Sequence, residues 1–399
     1  MKTFRLSRLL TGAVLAGTAF LVHAQDIKIG FNSDLSASPS AIVGQSALAA
    51  MQAAVEDINK SGGVLGRKMT IVVRDDLAQP PKAIQNLIEL VDNEKVAAVF
   101  GAANSGNVLA WKDLANQKKM PVIVPLATAT DVTKAPPGGA PNFVFRVSLV
   151  DRDNVAGLLA YVSKNPASKK VAYMAETTGY GQGALKDMQE LGPMYGIKPV
   201  AIEKFGVGDT DMTSQLNKLK AAGADTVVIW AQTLPLAQIL RSMEKINYFP
   251  LAMTSWITDQ QAVAQAAGPV LVEKPLFMRT RIGGDMPPEM AKLFARIKTQ
   301  TSLGEPIIAQ ASHAYDSVQL LALAIKQAGS TDGDKIREAL EDLKTPYKGL
   351  MKTYDHPFSK TNREALSPAD YHWIKWKAGK TVQYSDSVTR SLTASDFKR

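Results

Sequence analysis

Small polar residues follow two apolar runs of the sequence, at the positions where strands of a sheet would end. Asn104 and Ser105 come after one such run, and Ala127 and Thr128 come after the run 121–126. Free backbone N–H groups at a helix N-terminus, with hydroxyls beside them, hold anions such as a ligand carboxylate. The alternative for the first loop is that Asn104 or Ser105 only caps the helix that follows. Two such loops at one sheet edge favour a site for a carboxylate.

The run Gly-Tyr-Gly-Gln-Gly-Ala at 179–184 suggests a second chemistry, dinucleotide binding. It matches G-x-G-x-x-G/A, follows the apolar run 170–175 and opens a helix, and Glu203 stands where an acid could hold a ribose hydroxyl. A NAD-dependent dehydrogenase is therefore a remote alternative. Tyr180 in the middle of the run instead suits a lid over a ligand.

Cysteine and histidine chemistry has little support. The sequence contains no cysteine, which excludes thiol catalysis, thiolate metal sites and disulfides. His313, His356 and His372 stand far apart, and no carboxylate lies near them at metal-ligand spacing. A metal centre or catalytic triad would need long-range convergence. We expect no catalytic residue, no cofactor and no metal, so the chain is not expected to be an enzyme.

The first 24 residues have the pattern of a secretory signal peptide. Basic residues precede the apolar run 9–22, and the segment ends in the small residue Ala24, after which we expect cleavage. The alternative, an uncleaved anchor, is disfavoured because a spanning helix needs roughly 20 apolar residues. We therefore expect an exported, periplasmic protein. A nicotinamide cofactor is scarce in that compartment.

The net charge of the chain is a weaker indication of its partners. The formal net charge is +9, and it falls to +6 when the three basic residues of the leader are removed. Lys and Arg are interspersed with Asp and Glu, which argues against a nucleic-acid partner. A basic face that meets anionic lipid or a membrane partner stays open.

Strand-like and helix-like runs alternate along the rest of the chain, which predicts an α/β fold with two doubly wound parallel sheets. Ligands of such sheets gather at the carboxyl ends of the strands. A Pro- and Gly-rich loop at 134–141 interrupts the alternation. We predict strands at 27–32, 69–74, 96–101, 121–126, 142–147, 170–175, 200–205, 226–231 and 251–255, helices at 47–58, from 81, and at 108–116, 184–191, 212–222, 235–245, 290–300, 310–328 and 334–343, and a final hairpin of 371–377 with 381–385.

An ordered set of short motifs runs through nearly all of the mature chain. It consists of Ile29-Gly30, Asp57-Ile58-Asn59, Ser-Gly-Gly-Val-Leu-Gly at 61–66, Asp75-Asp76, Lys82-Ala83, Gly101, Pro-Leu-Ala-Thr-Ala at 125–129 and Tyr-Gly-Gln-Gly at 180–183. In this set the chain resembles the branched-chain-amino-acid-binding (leucine-binding-protein-like) family of periplasmic proteins. The resemblance implies the type I periplasmic binding fold and a substrate-binding role for an ABC importer.

The resemblance also implies site residues. The carboxylate-binding serine of the family falls on Ser105, its backbone and hydroxyl contacts fall on Leu126 and Thr128, and its aromatic lid falls on Tyr180. Together with the strand-end residues, the predicted ligand-binding set is Asn104, Ser105, Leu126, Ala127, Thr128, Tyr180, Gln232 and Trp256.

Three positions depart from the family. Gln232 stands where amino-acid binders have one tyrosine, a second tyrosine falls near Val43, and Trp256 replaces the glutamate that neutralises the ligand ammonium. Cation–π attraction is worth roughly 0.5–2 kcal/mol and does not replace a buried ion pair. We therefore expect a carboxylate with an aromatic or acyl body and no required α-amine. The alternative is an amino acid, with Trp256 in the core and Asp259 turned in as counter-ion.

The resemblance implies two lobes that hinge over a cleft and trap the ligand by closing. We place the chain crossings after Phe145, near Phe277 and near Thr353.

The expected partners are the membrane subunits of an importer, and we expect a monomer. A sensory or regulatory module of the same fold is the other class, but no DNA-binding helix pair precedes the first strand and no spanning helix follows the last. The predicted N-terminal lobe is 26–146 plus 277–352, and the C-terminal lobe is 147–276 plus 353–399.

Overall fold

The computed structural model describes residues 25–38, 41–281, 286–303 and 306–398. The predicted leader, residues 1–24, lies outside these ranges. Within the ranges, no helix combines the length and the apolar character that crossing a membrane requires.

Strands and helices alternate through both halves of the chain, as the sequence predicts. The strands are β1 Ile27–Ser33, β2 Met69–Asp75, β3 Val99–Gly101, β4 Val122–Val124, β5 Val144–Arg146, β6 Val171–Glu176, β7 Ala201–Phe205, β8 Thr226–Trp230, β9 Leu251–Thr254, β10 Leu276–Arg279, β11 Tyr347–Lys348, β12 Thr353–Tyr354, β13 His372–Lys377 and β14 Lys380–Gln383. The α-helices are α1 Ala41–Lys60, α2 Pro80–Ile88, α3 Ser105–Gln117, α4 Asp151–Lys164, α5 Gly179–Leu191, α6 Thr213–Ala221, α7 Thr233–Lys245, α8 Gln261–Ala267, α9 Pro288–Gln300, α10 Ile308–Ala328, α11 Gly333–Glu341 and α12 Ser387–Ser391.

The first sheet has the strand order β2-β1-β3-β4-β5, and its strands are parallel. Strands β3, β4 and β5 are short and fully buried, and they belong to continuous apolar runs of the sequence. Alternate side chains face opposite ways. Phe100 and Ile123 pack in a core with α1, α9, α10 and α11, whereas Val99 and Val122 pack in a core with α2 and α3.

The second sheet has the order β14-β13-β10-β9-β8-β6-β7. Strands β6 to β10 run parallel, and β13 and β14 add an antiparallel hairpin at one edge. The hairpin turns at Ala378 and Gly379, both with positive φ (48° and 75°), which matches the twist of the strands and is easy for glycine. The two predicted doubly wound sheets are thus confirmed, and they give the fold of the molecule.

The chain crosses between the sheets after β5, after β10 and after Leu366. All of β10 pairs within the second sheet, so a division at Phe277 would cut this strand. Tyr354 and Phe358 pack in the core of the first sheet, and the Phe358 ring lies 5.0 Å from that of Phe145. These aromatic contacts keep the chain in the first lobe well beyond Thr353.

An ion pair with a fully buried guanidinium joins the first crossing to the third. The Arg146 guanidinium is fully buried and donates to both carboxylate oxygens of Glu364, at 2.7 and 2.6 Å. The backbones join as well, because Arg146 N–H donates to Arg363 O at 2.8 Å and Ala365 N–H donates to Arg146 O at 2.9 Å. The two connections therefore form one paired hinge element.

Candidate ligand-binding site

A cavity lies between the lobes, at the carboxyl ends of the strands. The first lobe supplies the loops after β3 and β4, and the second lobe supplies the segments after β6, β8 and β9. The interatomic space of the cavity is about 370 Å³, of which about 20 Å³ can hold the centre of a water molecule, room for about one water. The described residues that line it are Val43, Ala103, Asn104, Ser105, Leu126, Ala127, Thr128, Tyr180, Gln232, Thr233, Trp256 and Ile257.

All eight residues predicted from the sequence therefore lie around one cavity. Val43 also lines it; the sequence comparison placed a family tyrosine near this position. Ala103, Thr233 and Ile257 were not predicted, although each is the immediate neighbour of a predicted residue. Their position beside a strand-end residue was the signal that could have included them.

The first-lobe side of the cavity is built around the Ser105 hydroxyl. The N–H groups of Thr128 and Ala129 donate to Ser105 Oγ at 3.3 and 3.2 Å, so this oxygen joins the two strand-end loops. The hydroxyl hydrogen remains available for a ligand acceptor. Asn104 caps α3, since its Oδ1 accepts from the Gly106 N–H at 2.8 Å. The capping alternative for Asn104 is thus what the structure shows, while its side chain still borders the cavity.

The second-lobe side is aromatic. Tyr180 donates its hydroxyl hydrogen to Ser255 Oγ at 2.8 Å, and its ring lies 5.8 Å from the Trp230 ring at a tilt of 45°. Trp256 is buried in the turn that follows β9, and it forms part of the cavity wall. Flat rings held in this way suit an apolar or aromatic ligand body.

Gln232 is held in place by a buried carboxyl group. Glu176, at the end of β6, accepts from the backbone N–H of Gln232 at 2.6 Å and from its side-chain Nε2 at 2.8 Å. The Thr178 hydroxyl also donates to it. Burial raises the pKa of Glu176, and these hydrogen bonds oppose the shift. Glu176 therefore positions the residues of the cavity wall without lining the cavity itself.

Close packing accounts for two of the three glycines in the dinucleotide-like run. A Cβ on Gly181 would lie 2.2 Å from the Glu176 carbonyl oxygen, and one on Gly179 would lie 2.9 Å from Gly106 Cα in the other lobe. Glu203, the candidate ribose acid, pairs instead with Lys218 at 3.0 Å. The run is therefore a helix start that packs closely within its lobe and against the opposite lobe.

Direct contacts join the lobes beside the cavity. Thr130 donates its hydroxyl hydrogen to Asp187 Oδ2 at 2.6 Å, and Lys186 pairs with Asp131 at 3.2 Å. Thr130 and Asp131 follow β4 in the first lobe, whereas Lys186 and Asp187 lie on α5 in the second. These pairs would have to break when the cleft opens.

Asp259, the counter-ion of the amino-acid alternative, is committed elsewhere. It forms an ion pair with Arg279, which is 1% exposed. The pair ties the turn after β9 to the end of β10. Turning Asp259 toward the cavity would leave a buried guanidinium without its partner, at a cost of about 3–5 kcal/mol.

Asp151, in the first turn of α4, is the most strongly perturbed carboxyl group near the cleft. It is fully buried, and among the described residues neither carboxylate oxygen has a hydrogen-bond partner. Its backbone N–H donates to Thr128 O at 2.8 Å, which places it directly behind the cavity wall. Burial, together with the Asp187 carboxylate, raises the pKa of Asp151 to about 8, although the nearby Thr128 and Trp230 side chains oppose the shift. The group is therefore largely protonated at neutral pH.

Replacing Asp151 with Asn should flatten the pH dependence of stability. The folded pKa of about 8 lies above the unfolded value near 3.8, so the wild-type free energy of unfolding falls as pH rises through this window. Between pH 5 and 7 the Asp151→Asn variant should gain about 1 kcal/mol per pH unit relative to the wild type. Urea unfolding at several pH values measures the difference. The exposed Asp113→Asn is the control, and parallel profiles for Asp151→Asn and wild type would contradict the argument.

The family assignment comes from comparison with known proteins. Residues 26–371 match the sequence family described as periplasmic binding protein. The chain belongs to the periplasmic binding protein family. This periplasmic binding protein is 27% identical over 376 residues to the leucine-, isoleucine-, valine-, threonine- and alanine-binding protein of Pseudomonas aeruginosa, with 91% of this chain and 97% of the relative covered.

Solved structures of other binding proteins share the fold. One is the branched-chain amino acid transporter substrate binding protein from Streptococcus pneumoniae in complex with isoleucine, with a TM-score of 0.75, 25% identity, and 90% of this chain and 98% of that one covered. Another is an ABC transporter solute binding protein from Rhodopseudomonas palustris in complex with 4-hydroxybenzoate, with a TM-score of 0.76, 20% identity, and coverage of 91% and 96%.

These comparisons confirm the predicted resemblance, the type I periplasmic binding fold and the transport role. The periplasmic binding protein is a substrate-binding component of the ABC-transporter type, which acts outside the cytoplasm and delivers a small molecule to membrane subunits. It is a transport component and not an enzyme, so the dehydrogenase alternative is wrong.

Proposed function

We propose that this binding protein captures a carboxylate with a flat aromatic or acyl body, and that the ligand needs no α-amine. The proposed contacts are Asn104, Ser105, Leu126, Ala127, Thr128, Tyr180, Gln232 and Trp256. Cleavage after Ala24 and a monomeric state are part of the proposal.

The observation that carries the proposal is the uncharged wall of the cavity. Among the described lining residues none carries a formal charge. An ammonium group enclosed there would lose its hydration without gaining a counter-ion, which costs several kcal/mol. The carboxyl groups behind the wall are engaged or largely neutral, because Glu176 is bound by Gln232, Asp259 pairs with Arg279, and Asp151 has a pKa of about 8.

A carboxylate finds better partners in the first lobe. Ser105 lies in the first turn of α3, where free N–H groups and the helix dipole favour negative charge. Its hydroxyl can donate to the ligand while its oxygen still accepts from Thr128 and Ala129. The body of the ligand then reaches the rings of Tyr180 and Trp256 across the cleft.

An amino acid remains the second candidate, and one contact favours it. The Gln232 side-chain oxygen is buried at the cavity wall and has no hydrogen-bond partner in the part of the chain that the structure describes. It could accept from a ligand N–H, and the Pseudomonas aeruginosa relative is named for the amino acids it binds. A neutral amide oxygen, however, does not neutralise an ammonium charge. The Rhodopseudomonas palustris structure supports only the point that this fold can enclose an aromatic acid.

Calorimetry with benzoate, hexanoate and leucine tests the proposal. We expect benzoate to bind at least about tenfold more tightly than leucine, because only leucine brings an unpaired ammonium into the cleft. Phenylalanine and 3-phenylpropanoate form a matched pair that differs only in the amine. Tight binding of leucine or phenylalanine with no binding of the amine-free acids would favour the amino-acid candidate instead.

A further inference from the structure

A second, smaller cavity lies on the other side of Trp256. Trp256 lines both cavities, so the two are neighbours across this residue. It lies between the lobes, because α10 of the first lobe contributes one wall and the segments around β9 and β10 contribute the other. The described residues that line it are Leu149, Trp256, Asp259, Gln260, Arg279, Ile307, Ala309 and Gln310.

This second cavity is surrounded by unsatisfied hydrogen-bond donors. Within the described residues, four of its lining side chains have a buried nitrogen without a hydrogen-bond partner, and these side chains are between 1% and 6% exposed. Buried donors are nearly always paired in folded proteins, so a cluster of unpaired ones at one cavity calls for an explanation. The atoms are Trp256 Nε1, Gln260 Nε2, Arg279 Nη2 and Gln310 Nε2.

Two acceptor atoms around the same cavity, on Asp259 and Gln260, are already engaged. Asp259 pairs with Nη1 of Arg279, and Gln260 Oε1 accepts from the Thr233 hydroxyl at 2.6 Å. Arg279 Nε donates to the Arg281 carbonyl at 2.9 Å. What the cavity offers a ligand is therefore mainly unpaired N–H groups, one of them on the Arg279 guanidinium whose charge is shared with Asp259. An ionised carboxylate, which only accepts hydrogen bonds and can take several at once, is the group that fits this set.

The electrostatic surroundings of Arg279 also favour an anion in the second cavity. Burial and the charge of neighbouring Arg281 together lower the pKa of Arg279 to about 9, so an anion nearby would stabilise its charged form. The interatomic space is about 210 Å³ and has no room for a water in this arrangement of the lobes. A carboxylate would enter when the lobes stand slightly further apart. Its hydrogen bonds would then link α10 to the opposite lobe and favour closure around the ligand.

We infer that the cleft has a second anion subsite behind Trp256, formed by Gln260, Arg279 and Gln310, and that the cargo is a dicarboxylate. This inference rests on the proposed function, because Ser105 and Thr128 hold the first carboxylate. The second carboxylate passes the edge of the indole and receives hydrogen bonds from the unpaired nitrogens. No α-amine is needed at either end.

Calorimetry on the mature chain tests the inference with matched pairs of acids. Benzoate is compared with benzene-1,4-dicarboxylate, and hexanoate is compared with adipate. The wild type is expected to prefer at least one diacid over its monoacid about tenfold or more, because several donors gain an acceptor. The Gln310→Met variant keeps the shape of the side chain but lacks the donor, so this preference should fall severalfold.

Two further variants keep the test decisive. Gln260→Glu preserves the acceptor for Thr233 while replacing the donor with a carboxylate, and it should remove the preference for a diacid entirely. Gln319→Met, on the same helix as Gln310 but away from the cavity, should leave the preference unchanged. Thermal unfolding shows that each variant is folded.

Different results would overturn the second subsite and the proposed function. Binding of a monoacid as tight as that of its diacid in the wild type would overturn the second subsite and leave the proposed function standing. A diacid preference that survives both Gln310→Met and Gln260→Glu would also overturn it. Binding of leucine with no binding of any acid would overturn the proposed function and the inference together.

Discussion

The Gly179→Val substitution is expected to weaken binding of benzoate at least about tenfold while leaving the lobes folded. Gly179 begins α5 in the second lobe, and Gly106 lies in the first turn of α3 in the first lobe. A Cβ at position 179 would stand 2.9 Å from Gly106 Cα and 3.3 Å from its nitrogen. The obstacle is backbone, which cannot rotate away as a flexible side chain can.

The valine side chain at position 179 should therefore hinder closure of the lobes. Gly179 does not have a positive φ, so its backbone accepts a valine without strain of that kind. With the lobes held apart, the closed form is less populated, and the apparent dissociation constant rises in proportion. Small-angle X-ray scattering at saturating benzoate should report a larger radius of gyration than for the wild type.

A matched control lies one turn further along the same helix. A Cβ on Gly183 would meet Ala129 Cβ of the opposite lobe at 3.5 Å, an ordinary contact, so Gly183→Ala should bind benzoate nearly as the wild type does. Thermal unfolding without ligand separates closure from stability. Unchanged affinity in Gly179→Val would show that ligand-bound lobes do not approach each other as closely as described.

Much of the fold could be predicted because buried parallel strands appear as continuous apolar runs between turn residues. Helix α4 was not predicted, since it is buried almost all round and shows no amphipathic stripe. The third crossing was placed too early for a different reason. Tyr354 and Phe358 return to the core of the first lobe through contacts such as Phe358 with Phe145, and such contacts leave no local pattern.

That the eight residues would lie around one cavity could be predicted because ligands of open α/β sheets gather at the carboxyl ends of strands. That rule, together with the resemblance, placed all eight residues at one cavity. It could not show that Asp259 is held by Arg279, or that Asp151 is buried behind Thr128. These pairings depend on how the segments pack in space. They determine whether carboxyl groups near the cavity are charged, and this is the observation on which the proposed preference for an acid rests.

The second large effect on ligand affinity is expected from substitution of Trp256. Its ring lines the cavity and is 6% exposed, so a ligand stacked on it would be shielded from water. Truncation of a central, buried tryptophan typically costs about 2 kcal/mol or more of binding energy, about thirtyfold in affinity. Trp256→Ala should therefore lower benzoate affinity by at least about thirtyfold in calorimetry.

The Trp256→Phe variant separates the ring from its N–H group. If stacking supplies the affinity, phenylalanine should retain most of it, with a loss below about tenfold for benzoate. If the second subsite takes part, the same variant should lose more for benzene-1,4-dicarboxylate, because the indole Nε1 is one of its unpaired donors. Equal losses for alanine and phenylalanine with benzoate would mean that the ring face is not the contact. The flat body of the proposed ligand would then have to rest on Tyr180 alone.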